Sequence, residues 1–279
     1  SPDVGNALDY RKSSASASVS EVLKIGVQKH LLTPHVQVNR TGSEHLESMS
    51  WENLLMNRLT NAVTDARMID VLPRNNGAVF HSASNTGVDA DLWYTKSANP
   101  SYDPKDASNA SNGSTIWCDA VTEGIVKSGV GTSSDCPSEA SEVTAVQWVA
   151  KGTLASKSSL AGAVTMTAIG NSAGDIYASS LGASGQNPLF AVGPDTKEVL
   201  TVSSSIGDYT WWDFAGEGLQ TGCPNCNLNE PVGGVTVTVT GVDDLGNNVD
   251  VSDISATDGS YLIEDLRSAN EGGYTVTFS

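Results

Sequence analysis

The chain has 279 residues, a formal net charge of −17 and a sequence pI near 4.4. That length suits two domains, each able to bury a core. The acidic balance excludes a phosphate backbone as partner and suits divalent cations, and no apolar run reaches the roughly 18 residues of a membrane span.

Aromatic residues make up only 6% of the chain, whereas glycine alone occurs 27 times beside abundant Ser, Thr and Val. This is the vocabulary of strands and turns. Residues 1–20, with "KSSASASVS", read as a frayed lead-in. The opening "SPDVGNALDY" does not read as a signal peptide. In "EVLKIGVQ" the row Val22, Lys24, Gly26 alternates against Leu23, Ile25, Val27, which predicts a first strand. "HVQVNR" predicts a second. "SWENLLMNRLTNAV" is ambiguous: Trp51, Leu54, Leu55 and Leu59 fit a helical face capped by Ser50, and a bent strand fits as well. "ARMIDVLP", "RNNGAVFH", "DLWYT", "TIWCDAV", "EVTAVQWVAKGTL", "AGAVTMTAIG", "GDIYASSLGA" and "KEVLTVSSS" follow as short strands bounded by turn residues. Such spacing predicts a β-sandwich over 21–205.

Near Ser205 the composition shifts. Residues 206–279 hold 12 Asp and Glu against one Arg and no Lys, a net of −11. "GGVTVTVTGV" alternates strictly, with Val235, Val237 and Val239 on one face. The hairpin turn "DDLGNN" and the strands "DGSYLIEDL" and "GGYTVTF" complete a second all-β domain over 206–279. The chain ends on a strand, so it reads as a piece of something longer.

The cysteines Cys118, Cys136, Cys223 and Cys226 group as two pairs. In an exported protein they predict two disulfides. A tetrathiolate zinc site would need two close pairs, and only Cys223 and Cys226 are close. Cys118–Cys136 would close a loop around "EGIVKSGVGTSSD". Cys223-Pro-Asn-Cys226 has redox-motif spacing, but nothing after it reads as the helix that would lower a thiol pKa.

Over 206–279, "SIGDYTWWDFAGEG", "NEPVGGVTVTVTG", "TDGSYLIEDL" and "GGYTVTF" resemble the B-type repeats of serine–aspartate-repeat adhesins. These are relatives of the collagen-adhesin B-type stalk domains, which are prealbumin-like sandwiches. Over about 45–204, "MIDVLPRNNG", the Trp-Cys and Cys-Pro pair, "EVTAVQWVAKGTL" and "GNSAGDIYASSLGA" resemble the Ig-like repeat that precedes such domains in actinobacterial cell-wall proteins. The resemblance implies two sandwiches in tandem from a secreted Gram-positive surface protein, with its wall anchor outside this chain. Its partners would be neighbouring domains of the same protein, and host or cell-surface ligands for an adhesive module.

The resemblance also implies two chemistries. The adhesin calcium loop maps Asp213 to the first ligand position, Glu217 to the fifth, the Leu219 carbonyl to the seventh and Glu230 to the last. Ala215 and Thr221 stand where oxygen donors are expected, so Ca2+ would be held weakly or the loop would be a solvated turn. Asp258 would complete the site or cap its own turn. Related stalk domains also carry a Lys–Asn isopeptide bond assisted by a buried carboxylate. Residues 206–279 have no lysine for one. In the first domain Lys24 and Lys29 are the candidate amines, with no acceptor singled out.

Other constellations compete. Gly170-Asn-Ser172-Ala-Gly174 matches a hydrolase elbow around Ser172, but that motif needs a helix next and a His later, and His30, His35, His45 and His81 all precede it. The histidines lack partners at metal-site spacing. Trp93, Trp117, Trp148, Trp211 and Trp212 lie in strands, where packing competes with a carbohydrate-stacking platform. The expectation is a non-enzymatic stalk or adhesion module.

Overall fold

The computed structural model describes residues 24–39, 47–98, 100, 115–213, 216 and 229–279. The expected lead-in, His45, Ala215, Glu217, Leu219, Thr221, Cys223 and Cys226 lie outside the described residues.

The described chain is all-β. Its strands are β1 (Ile25–Leu31), β2 (His35–Gln37), β3 (Glu47–Asn57), β4 (Thr64–Val71), β5 (Ala78–Asn85), β6 (Ala90–Thr95), β7 (Trp117–Cys118), β8 (Val126–Ser128), β9 (Ala145–Ala150), β10 (Ser159–Ala168), β11 (Ile176–Gln186) and β12 (Phe190–Val202). They form a four-stranded sheet, β1-β3-β10-β5, and an eight-stranded sheet, β2-β12-β11-β4-β9-β6-β7-β8. The helical reading of "SWENLLMN" fails. Alternate residues Met49, Trp51, Asn53, Leu55 and Asn57 of β3 are buried, a period of two that only a strand produces. β3 is a central strand of its sheet, pairing with both β1 and β10.

The main apolar core lies between these sheets, and Ile69, Trp117 and Ala145 of the larger sheet's strands form a smaller, distinct cluster. The four-stranded sheet contributes Ile25, Met49, Trp51, Leu55, Leu160, Val164 and Met166. The facing sheet contributes Met68, Val146, Trp148, Tyr177, Leu181 and Val199. The rows that supply these residues also turn four polar side chains inward. Lys29 follows Ile25 and Val27 in β1, and Asn53 stands between Trp51 and Leu55. Asp70 follows Ala66 and Met68 in β4, and Ser179 stands between Tyr177 and Leu181 in β11. All four are fully buried.

The remaining strands are β13 (Ser204–Tyr209), β14 (Trp211–Asp213), β15 (Asn229–Pro231), β16 (Thr236–Asp243), β17 (Asn248–Ile254), β18 (Ser260–Leu266) and β19 (Ala269–Phe278). They pair as β17-β16-β19, β13-β18 and β14-β15. Val237, Val239, Ile263 and Leu266 make a second, separate core, with the valine face of β16 turned inward as its alternation predicts. The "DDLGNN" turn is closed by Asp243, whose Oδ1 accepts the Leu245 and Asn247 amides at 2.9 and 2.8 Å, with Gly246 at positive φ.

Cys118 and Cys136 are disulfide-bonded. The loop they close is not wholly irregular, because Val126–Ser128 returns as β8 to pair with β7. Opening the cross-link in the double variant C118S/C136S is expected to cost about 3 kcal/mol. Denaturant unfolding under non-reducing conditions would measure the loss, and an unchanged midpoint would refute it.

Candidate functional site

The inward polar residues of the first core converge. Lys29 and Asn53 are direct cross-strand partners in the β1–β3 ladder, so the pleat puts both side chains on one face. The Lys29 Nζ donates to Asn53 Oδ1 at 2.9 Å and to Asp70 Oδ2 at 2.6 Å. Asn53 Nδ2 donates to the same Asp70 oxygen at 2.7 Å. Asp70 reaches across from the opposite sheet, and Ser179 Oγ donates to its other oxygen, Oδ1, at 2.6 Å. The Nζ also lies 5.3 Å from the Trp51 ring centroid.

Burial pulls the Lys29 ammonium below its ordinary pKa, and the Asp70 carboxylate opposes that pull. The amine lies 2.6 Å from the carboxylate oxygen it touches, close enough for a direct proton transfer. Asp70 Oδ2 contacts a would-be nucleophile and an amide nitrogen at once. A carboxylate oxygen so placed can relay a proton between the two nitrogens.

Of the two lysines in the sequence expectation, Lys24 is exposed and falls outside β1, and Lys29 alone reaches an amide. The signal that separates them was present in the alternation. Lys29 continues the Leu23, Ile25, Val27 row, whereas Lys24 lies in the other. Asn53, Asp70 and Ser179 were missed, although each is a polar residue standing in an apolar row.

The calcium-loop residues divide. Trp212 pairs with Glu230 and Asp213 with Asn229 in the β14–β15 ladder, so the first and last expected ligands stand on adjacent strands. Asp213 Oδ1 accepts the Gly216 amide at 2.8 Å. Asp258 caps its own turn, taking the Ser260 amide and hydroxyl at 3.0 and 2.6 Å. Among the described residues no group of three or more His, Cys, Asp or Glu side chains is placed to hold a metal. His30 lies 3.6 Å from Glu52 on the exposed side of β1 and β3. The Ser172 turn leads into strand β11, not a helix, and its amide is bonded to Asp175, so the elbow geometry is not formed.

The aromatic expectation separates by strand. Trp148 and Trp117 are fully buried. Tyr209, Trp211, Trp212 and Phe278 instead line an open groove of about 440 Å3 with Thr210, Asp213, Val232 and Val235. Trp212 is 58% exposed there and Phe278 56%.

The first and second cores meet at Arg267. This arginine, the lone basic residue of 206–279, is buried. Its guanidinium contacts Glu47 at 2.6 Å, chelates Asp244 at 2.8 and 3.0 Å, and donates to the Val38 carbonyl at 2.8 Å. Gln37 adds two bonds across the same seam, to Asp244 and to the Ser268 amide.

No protein-family model and no curated protein matches the chain. Among solved structures it is similar to the major pilin subunit BcpA of Bacillus cereus, at 11% identity and a TM-score of 0.37, covering 91% of this chain and 62% of that one. It is similar also to a C-terminal fragment of the major pilin of Streptococcus agalactiae, at 12% identity and a TM-score of 0.34, covering 91% and 85%. Two domains of SpaD, the major pilin of Corynebacterium diphtheriae, match at 11% identity and a TM-score of 0.33, covering 91% and 82%. The chain thus spans less than two thirds of the BcpA chain.

The Arg267 guanidinium, through its hydrogen bonds, holds the Asp244 carboxyl below the usual carboxylate range. A depressed folded pKa means the contact stabilises above the unfolded Asp value, near 3.9, and is lost as pH falls through the folded one. The R267M variant is expected to lower stability at neutral pH and to flatten the acid loss below about pH 4. Thermal melting across pH 2–7 would read both effects. Parallel acid limbs in wild type and variant would count against the seam.

Proposed function

We propose that this chain is a non-enzymatic structural module of an extracellular Gram-positive surface protein, and that its first domain locks itself by an isopeptide bond between Lys29 and Asn53. The observation that carries this reading is the buried contact set in which Asp70 Oδ2 touches both the lysine amine and the asparagine amide nitrogen. Asp70 takes one proton from the Lys29 ammonium. The neutral Nζ attacks Asn53 Cγ, forming the new C–N bond. A second Nζ proton passes by way of Asp70 to Nδ2, and the old C–N bond breaks. One ammonia leaves, and a protonated Asp70 remains beside the new amide. The reaction is intramolecular and happens once, so it turns over no external substrate.

A covalent tie from β1 to β3 suits a stalk under tension, because β1 could not then be peeled from its sheet. In this reading the unit over 21–205 is an Ig-like sandwich and 206–279 a B-type repeat, joined at Arg267. Cys223 and Cys226 form the second disulfide. Asp213 and Glu230, with Glu217 and the Leu219 carbonyl, hold calcium weakly.

The intact wild-type chain is expected to weigh about 17 Da less than its disulfide-bonded sequence mass, the mass of one ammonia. K29R and N53A should instead show their full disulfide-bonded sequence masses, with no ammonia lost. N53A should melt about 10 °C lower, as for loss of a cross-link closing a loop of this size. A wild-type chain at full mass would sink the cross-linking reading.

The exposed groove beside Trp212 favours a second role, adhesion to a carbohydrate or protein through aromatic contacts. Tryptophan fluorescence separates the two uses of this region. Millimolar calcium should shift the emission in wild type and not in E230Q, whereas a glycan ligand should shift it in E230Q and not in W212A. No response to either would remove both from the reading.

A further inference from the structure

Ser179 belongs to β11, which lies beside β4 in the eight-stranded sheet. Leu181 is the direct partner of Asp70, so Ser179 sits two residues along on the same face and reaches Asp70 diagonally. A serine hydroxyl has one hydrogen to give. The two acceptors in reach are Asp70 Oδ1 at 2.6 Å and the Val71 carbonyl at 3.2 Å. The shorter, charge-assisted bond takes the hydrogen.

That choice has a consequence for Asp70. A carboxylate hinges about its last torsion, and its two oxygens are equivalent until something distinguishes them. With Oδ1 held by Ser179, Oδ2 is the oxygen turned to Lys29 Nζ and Asn53 Nδ2. One oxygen then serves both nitrogens, so a proton taken from the amine is already within reach of the leaving group. Without the hydroxyl, Oδ1 loses its donor inside an apolar core, and the carboxylate would turn to recover one from the same two nitrogens. The bridging geometry would be lost while Asp70 and Lys29 stayed paired.

We infer that Ser179 is a positioning residue for isopeptide formation, setting its rate by fixing which Asp70 oxygen bridges the amine and the amide. The inference rests on the cross-linking reading above. Ser179 touches neither reacting group, and its effect passes through Asp70.

The test follows bond formation in the full chain after cell-free synthesis, by quenching samples in acid denaturant and weighing them. Wild type should lose about 17 Da in a single phase. S179A should lose it at least about tenfold more slowly, the scale expected when a catalytic group is misoriented. S179T, which keeps the hydroxyl, should return to within about threefold of wild type. Folding is checked in the unlinked background, where S179A/N53A should show the circular dichroism of N53A and melt within a few degrees of it.

Equal rates in S179A and wild type would overturn the role of Ser179 while leaving the cross-link intact. A slow S179T would overturn it too, because the hydroxyl would not then be the cause. Collapse of S179A/N53A where N53A folds would assign Ser179 to folding alone and overturn the inference. Absence of any mass loss in wild type would overturn the cross-linking reading and this inference together.

Discussion

A lysine ammonium cannot stand alone between two apolar sheets, and the arrangement of the first core follows from that constraint. Lys29 is fully buried and enters from the four-stranded sheet; Asp70, equally buried, meets it from the facing sheet at 2.6 Å. Removing one partner of such a pair leaves a bare charge in a medium that solvates it poorly, typically at a cost of about 3–5 kcal/mol. The pair therefore links the two sheets through one short directional contact, whereas the surrounding Leu, Val and Met contacts tolerate small slips. Asn53 and Ser179 satisfy what remains of the polar demand. The same satisfaction that makes the cluster tolerable in a core also brings an amine, an amide and a carboxylate into mutual hydrogen-bonding distance.

The other cross-ties sit where apolar burial is thin. β7 and β8 are strands of two and three residues at one edge of the large sheet, and the Cys118–Cys136 bond ties β7 to the segment that follows β8, closing the loop that contains it. At the seam between the two cores, an arginine spreads over two carboxylates and a carbonyl, and Gln37 adds two further bonds. Arg267 suits this because its planar fork can chelate Asp244 while a third nitrogen reaches Val38. With a net of −11 over 206–279, the repulsive field makes that one cation valuable at the seam.

Much of the strand content was legible because alternation has a period that helices cannot imitate over ten residues. The valine face of β16, the strands "DLWYT" and "GGYTVTF", and the turns at "DDLGNN" and "TDGSY" are local, and local chemistry sufficed for them. "SWENLLMN" was harder. Leu54 and Leu55 are adjacent, so the run satisfies both periods until a neighbour decides, and β1 and β10 on either side of β3 decide for the strand. The Cys118–Cys136 pairing was readable from spacing and export logic. The return of β8 inside its loop was not, because three residues carry too little pattern to mark a strand.

The sequence by itself determined that the chain is all-β and acidic, that its composition changes near Ser205, and that 206–279 lacks the amine for an internal isopeptide bond. Lys29, Asn53 and Asp70 stand in apolar rows only once β1, β3 and β4 are assigned as strands. Only the tertiary structure decided that these rows face one another. Lys29 and Asn53 meet through strand pairing across 24 residues, and Ser179 reaches Asp70 across 109. Such separations are closed by sheet register and by the packing of two sheets, which no local pattern encodes. The chemistry of the site is therefore written in single residues, and its existence depends on which strands lie side by side.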